Sequence, residues 1–260
     1  MLKPNPRYRE LKDSYLFNTI YRKTSEYLEK NPEKQVLRMG VGDVSLPLCD
    51  AVIEALHRAV DDQSAAATFH GYMPECGDAA LRKAIAGYYA QMGAAVSEQE
   101  IFISSGACDD LGDILELFDQ ENMVMVVEPA YPEYVDTNIL AGRKIIHLSS
   151  GIENDFLPLP SAQAKADILY LCSPNNPTGA VYNRSQLQAW VDFANEIGAV
   201  ILFDAAYEIF IEEPDIPHSI YELRGADRCA IEICSLSKTA GFTGTRLGYT
   251  VVPQNLIRGG

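Results

Sequence analysis

The sequence lacks any apolar run approaching the ~20 residues that a bilayer span requires, and its start, MLKPNPRYRELKDS, has no apolar core of the kind found in secretory signals. Both absences point to the cytoplasm. Positive charge is also scarce, with 21 lysines and arginines against 36 aspartates and glutamates, a net of −15. That balance repels nucleic-acid phosphates and anionic headgroups, so neither nucleic acid nor membrane is an expected partner. The six cysteines (Cys49, Cys76, Cys108, Cys172, Cys229, Cys234) include no C-x-x-C pair and no Cys/His cluster at metal-ligand spacing. Free thiols in a reducing compartment and no metal are therefore expected. His57, His70, His147 and His218 stand apart and receive no role. There is no internal repeat and no low-complexity linker.

What is present is ordinary in bulk and specific in pattern. A chain of 260 residues accommodates one large domain, or a domain with a smaller attachment, around a substantial core. Residues 1 to 45 are polar and broken by Pro4, Pro6, Pro32, Gly40 and Gly42, which reads as an N-terminal arm with one helix near Tyr15 to Leu28. Apolar residues then recur at helical spacing over Asp50 to Val60 and Asp78 to Tyr89, separated by the loop HGYMPECG. Beyond Glu100, short apolar runs alternate with helical segments, the signature of a largely parallel sheet covered by helices. Strands are expected at 101–104, 123–127, 144–148, 168–172, 200–203, 229–234 and 247–252, and helices at 107–118, 133–140 and 185–197. Residues 46–260 form the expected large α/β domain.

In open α/β sheets, ligands bind outside the carboxyl ends of the strands. Four of those ends are loaded here: IFIS runs into SGACDD, ILYLC into SPNNPTG, VILF into DAAY, and CAIEIC into SLSKTAGFTGTRLG. Singly, each has a plain structural explanation: a rigid turn, a helix cap, a surface lysine.

Together and in this order they resemble the class I pyridoxal-phosphate (PLP) aminotransferases. The string S-x-S-K has an arginine eight residues after the lysine, and D-x-x-Y and N-N-P-T-G precede it. The strings GVGD, GYMPECG, EPAYPEYVD, CSPNNPTG and SLSKTAGFTGTRLGY are similar, more narrowly, to the LL-diaminopimelate aminotransferases. The resemblance runs from Tyr15 to the end of the chain and implies PLP fold type I.

It also implies roles. Lys238 is the residue that condenses with the cofactor aldehyde and later shuttles the substrate α-proton. A lysine of ordinary pKa is deprotonated in only about one molecule in a few thousand at pH 7, so Lys238 needs surroundings that lower it. Asp204 pairs with the pyridine nitrogen, Asn176 and Tyr207 hold the ring hydroxyl oxygen, and Tyr131 stacks on the ring. Ser235, Ser237, Arg246 and the backbone N–H groups of Ala107 and Cys108 hold the phosphate. Tyr72 reaches the phosphate of a neighbouring subunit, which implies a homodimer with shared sites. Tyr15, Gly42 and Glu75 match positions that contact diaminopimelate, the Glu75 carboxylate suiting a distal ammonium. By itself Glu75 reads equally as a solvated loop carboxylate.

Two features depart from the family. Its usual S-D-G-A-K is Ser104-Ser105-Gly106-Ala107-Cys108 here, so a cationic contact is missing. The family also continues beyond LGYTVV into a small C-terminal domain bearing the arginine for the substrate α-carboxylate, whereas this sequence stops at Gly260. A fragment or catalytically weak protein is thus expected, with apolar strands near Ile201 and Val251 left exposed to water. The function implied is amino-group transfer between LL-2,6-diaminopimelate and 2-oxoglutarate. The alternatives are another class I aminotransferase, a carbon–sulfur lyase, or a non-catalytic remnant.

Overall fold

The computed structural model describes residues 2–11, 16–37, 39, 42–161 and 165–256. The seven expected strands form within a residue or two of their expected bounds: β1 Ile101–Ser104, β2 Val124–Glu128, β3 Ile145–Ser149, β4 Ile168–Cys172, β5 Val200–Asp204, β6 Ala230–Ser235 and β7 Gly248–Val251. They build one sheet in the order β1-β7-β6-β5-β4-β2-β3. β2 to β6 pair in parallel, while β7 is antiparallel to both neighbours, β1 and β6. Apolar runs report burial and not direction, so this reversal was not legible in the sequence. The chain leaves β6 and enters β7 at the same end of the sheet, without the long crossover that parallel neighbours require.

The helices are α1 Leu16–Lys30, α2 Asp50–Asp62, α3 Ala79–Gln91, α4 Ala107–Asp113, α5 Pro132–Ala141, α6 Arg184–Ile197 and the single turn α7 Leu236–Thr239. The helix expected over 107–118 is α4 followed by a tighter 3-10 turn, Ile114–Leu117. α6 shows why local sequence suffices for such elements. Asn183 accepts a hydrogen bond from the Gln186 N–H, the Gln186 side chain accepts one from the Asn183 N–H, and Gly198 closes the helix at φ 75°. Between the caps, Leu187, Trp190, Val191 and Ala194 fall on one buried stripe.

Two apolar layers sandwich the sheet. Leu169, Leu171, Ile201 and Phe203 pack with α3 and α6, whereas Ile168, Tyr170, Leu202 and Ile233 pack with α4 and α5. Strand alternation sends successive residues to opposite layers. Burial of each such large side chain stabilises the fold by roughly 1.5–3 kcal/mol.

The expectation that the strands near Ile201 and Val251 would be exposed is incorrect. Both residues are 0% exposed. β5 lies inside the sheet, and Val251 lies between β1 and β6 in the layer that includes Tyr89 and Tyr249. The exposed large apolar side chains include Ile53, Leu56 and Val60 of α2 and, after it, Phe69, Tyr72 and Met73; α2 buries no residue.

Candidate active site

β1, β4, β5 and β6 run the same way, so their carboxyl ends open on one edge of the sheet. There a cavity of about 330 Å³ is lined by Gly42, Ala107, Cys108, Leu111, Tyr131, Asn176, Asp204, Ala206, Tyr207, Ser235, Ser237, Lys238 and Arg246. Eleven of the fourteen residues singled out from the sequence line it.

Each is placed by its strand exit. After β4, the side chain of Asn175 donates to Pro129 O (3.1 Å) and Thr178 Oγ1 (2.9 Å), and Gly179 N donates to Asn175 O at φ 72°. Asn175 thus ties the turn while Asn176 lines the cavity; SPNNPTG is both a rigid turn and part of the site. After β6, Ser235 caps α7 by accepting from Ser237 N (3.1 Å), which sets Ser237 and Lys238 at the cavity wall. Arg246 adopts φ 62° and donates through Nη1 to Thr243 O (3.3 Å) and Ser237 Oγ (3.5 Å). Gly106, at φ 132°, allows its approach, since a Cβ there would lie 2.6 Å from Arg246 Nη2. Across the cavity, a Cβ on Gly42 would lie 3.5 Å from the Tyr207 hydroxyl.

The electrostatics match the chemistry expected of Lys238. Burial lowers its pKa, the positive charge of Arg246 lowers it further, and Asp43 opposes both. Lys238 Nζ lies 5.5 Å from the centre of the Tyr207 ring. Asp204 is buried, and burial raises its pKa against the hydrogen bonds it accepts from the Tyr134 hydroxyl (2.6 Å) and Ala206 N (2.9 Å). Among the described residues no cation pairs with it. A buried carboxylate without a cation, facing a cavity, fits a group that brings its own protonated nitrogen.

Tyr134 was missed in the sequence. It stands three residues after Tyr131, one helical turn along α5, its ring edge-on to Tyr131 (5.7 Å) and stacked on Tyr170 (4.8 Å). Only that helical spacing, in EPAYPEYVD, hints that both tyrosines face the same site.

Cys108 lines the cavity with its Sγ 3.9 Å from the Tyr131 hydroxyl, and burial raises its thiol pKa. Tyr72 and Glu75 are exposed and do not line the cavity of their own chain. The HGYMPECG loop is pinned at its far end, where Ile103 N donates to Cys76 O (3.1 Å) and Gly77 packs on Ile103, so its tip projects outward. Tyr15 lies outside the described residues.

The family model described as aminotransferase class I and II matches residues 34–259. The chain belongs to this family. Aminotransferases of this class depend on PLP, and the cavity suits that cofactor: a lysine of lowered pKa, a buried carboxylate, an aromatic wall and an Arg–Ser cluster beside backbone N–H groups. Among its relatives, the LL-diaminopimelate aminotransferases of Agathobacter rectalis and Lachnospira eligens are 50% and 49% identical over 98% of this chain. The L,L-diaminopimelate aminotransferase from Chlamydomonas reinhardtii superposes with a TM-score of 0.90 at 39% identity over 99% of this chain. The chain spans 66% of the length of each of these three proteins. PLP fold type I, with a mostly parallel sheet in which only β7 runs against its neighbours, is thereby established.

Proposed function

We propose that this aminotransferase transfers an amino group between LL-2,6-diaminopimelate and 2-oxoglutarate, acting in the cytoplasm as a homodimer that serves diaminopimelate and lysine synthesis. The observation that carries the reading is the convergence of Lys238, Asp204, Asn176, Tyr207 and Arg246 on one cavity, in a chain half identical to proteins named for that reaction.

When bound, PLP supplies an electrophilic carbon and an electron sink that make the α-proton of an amino acid removable. The chain's own residues do the rest. Lys238, its pKa lowered by burial, would accept and return the α-proton at Nζ. Asp204, fixed at both oxygens, would hold the proton on the ring nitrogen. Asn176 and Tyr207 would hold the ring hydroxyl oxygen, Tyr131 would pack against the ring, and Ser235, Ser237, Arg246 and the N–H groups of Ala107 and Cys108 would bind the phosphate. Gly42, with no side chain, leaves space over Tyr207 for substrate; Tyr15, by its resemblance to the family, is a further substrate contact.

The loop bearing Tyr72 and Glu75 projects from its own subunit, and the exposed apolar residues of α2 and Phe69 lie just before it in sequence. Both features support a homodimer in which Tyr72 reaches the neighbouring phosphate and Glu75 meets the distal ammonium of its substrate.

The test is 2-oxoglutarate-dependent glutamate formation by the purified protein with LL-diaminopimelate, tyrosine, alanine and cystathionine as donors. Preference for LL-diaminopimelate, lost in Glu75→Ala, is expected. Equal turnover of monoamino acids, or pyruvate release from cystathionine, would overturn the substrate assignment.

A further inference from the structure

Behind the cavity, on the other side of the sheet, two adjacent tyrosines of α3 hold two carboxylates in the segments that build the site. The Tyr88 hydroxyl donates to Glu208 at 3.0 and 3.1 Å from its two oxygens, and Glu208 directly follows Tyr207. The Tyr89 hydroxyl donates to Glu232 Oε1 at 2.5 Å; Glu232 lies in β6, which leads directly into Ser235 and Lys238. Glu232 Oε2 accepts from Ser219 Oγ (2.7 Å) and Ile220 N (2.8 Å), while Glu208 Oε2 lies 2.9 Å from His218 Nδ1.

Tyr89 and Glu232 are each 1% exposed, and among the described residues no cation pairs with Glu232. A buried carboxylate without a cation contributes poorly to stability compared with apolar packing. What it does supply is direction, because each bond fixes one backbone segment at one distance from the helix. β6 alternation places Cys234 in the layer shared with α3 and Ile231 and Ile233 in the other, so Glu232 faces α3 while Ser235 lines the cavity.

We propose that Tyr88 and Tyr89 are positioning residues, a two-point clamp by which the last turn of α3 sets the spacing between the Tyr207 segment and the Lys238 segment. The assignment of those segments to PLP binding rests on the functional reading above; the clamp itself concerns only this chain.

Amide hydrogen exchange of the 260-residue protein tests it with Tyr88→Phe, Tyr89→Phe and Glu232→Met. Removing a hydroxyl that bonds a buried carboxyl group should speed local exchange by about three- to tenfold. Tyr88→Phe should do so at residues 206–211 and leave 230–238 within about twofold, and Tyr89→Phe should do the reverse. Glu232→Met, which is of similar length and removes both acceptor oxygens, should reproduce the Tyr89→Phe pattern with added loosening at 219–220, and replaces it if that variant fails to fold. Exchange that rises evenly across the sheet, or nowhere, overturns the clamp. PLP titration adds the positional readout: each variant should bind about fivefold more weakly, and unchanged affinity despite local loosening also overturns it. Should the unsubstituted protein bind no PLP, the functional reading fails, while the exchange pattern still decides the clamp.

Discussion

The Tyr134 hydroxyl lies 2.6 Å from Asp204 Oδ2 and donates to it, its ring stacked on Tyr170. Burial favours the neutral form of Asp204, and this bond favours the charged form. The charged form of Asp204, which the proposed function pairs with the cofactor nitrogen, therefore depends on Tyr134. Tyr134→Phe should weaken PLP binding by about tenfold, since a hydrogen bond to a charged group contributes roughly 1.5–3 kcal/mol. Fluorescence titration with PLP measures it, and an unchanged dissociation constant would refute the dependence.

Lys238→Ala should abolish borohydride-fixed PLP while leaving the fold intact. Because burial and Arg246 lower the lysine's pKa, the rate of covalent capture should rise with pH to a midpoint below the ~10.4 of an ordinary lysine. Stopped-flow absorbance across pH 7 to 11 gives that midpoint. A value at or above the ordinary one would show that the pocket does not activate the amine.

Cys108→Lys should restore the cation that the family places here. The position already lines the cavity, and the charge of Arg246 reaches it. PLP should bind a few-fold more tightly, with the gain shrinking as salt is raised, as a screened charge contact requires. Weaker binding at all salt concentrations would mean that a second cation is not accommodated beside Arg246.

Burial pushes the Glu232 carboxyl up to about 7, despite donors from Tyr89, Ser219 and Ile220. With the folded pKa above the unfolded one, the neutral acid's advantage is complete below about pH 4.5 and is lost as pH rises through 7. The effect is on the order of 3 kcal/mol. Glu232→Gln should therefore gain on the unsubstituted protein in thermal midpoint between pH 5 and pH 8. A constant gap across that range would show that Glu232 does not titrate there.

Much of the site was legible because its residues follow strands whose apolar runs are short and unambiguous. ILYLC and VILF are buried on both faces, so Asn176 and Asp204 could only lie at the exits. Tyr88, Tyr89, Glu208 and Glu232 carried no such marker. Their partners are 120 and 143 residues away in sequence, and a tyrosine in an amphipathic helix looks like any other core aromatic.

By itself the sequence determined the family, the seven strands, the longer helices and the residues at the strand exits, because each depends on local periodicity or on a short string. Only the tertiary structure decided that β7 runs against its neighbours, that Ile201 and Val251 are buried, that Glu75 stands away from its own cavity, and that Tyr134 serves Asp204. Those facts depend on which distant segments meet, and contact between segments is set by packing the whole sheet and its two layers at once.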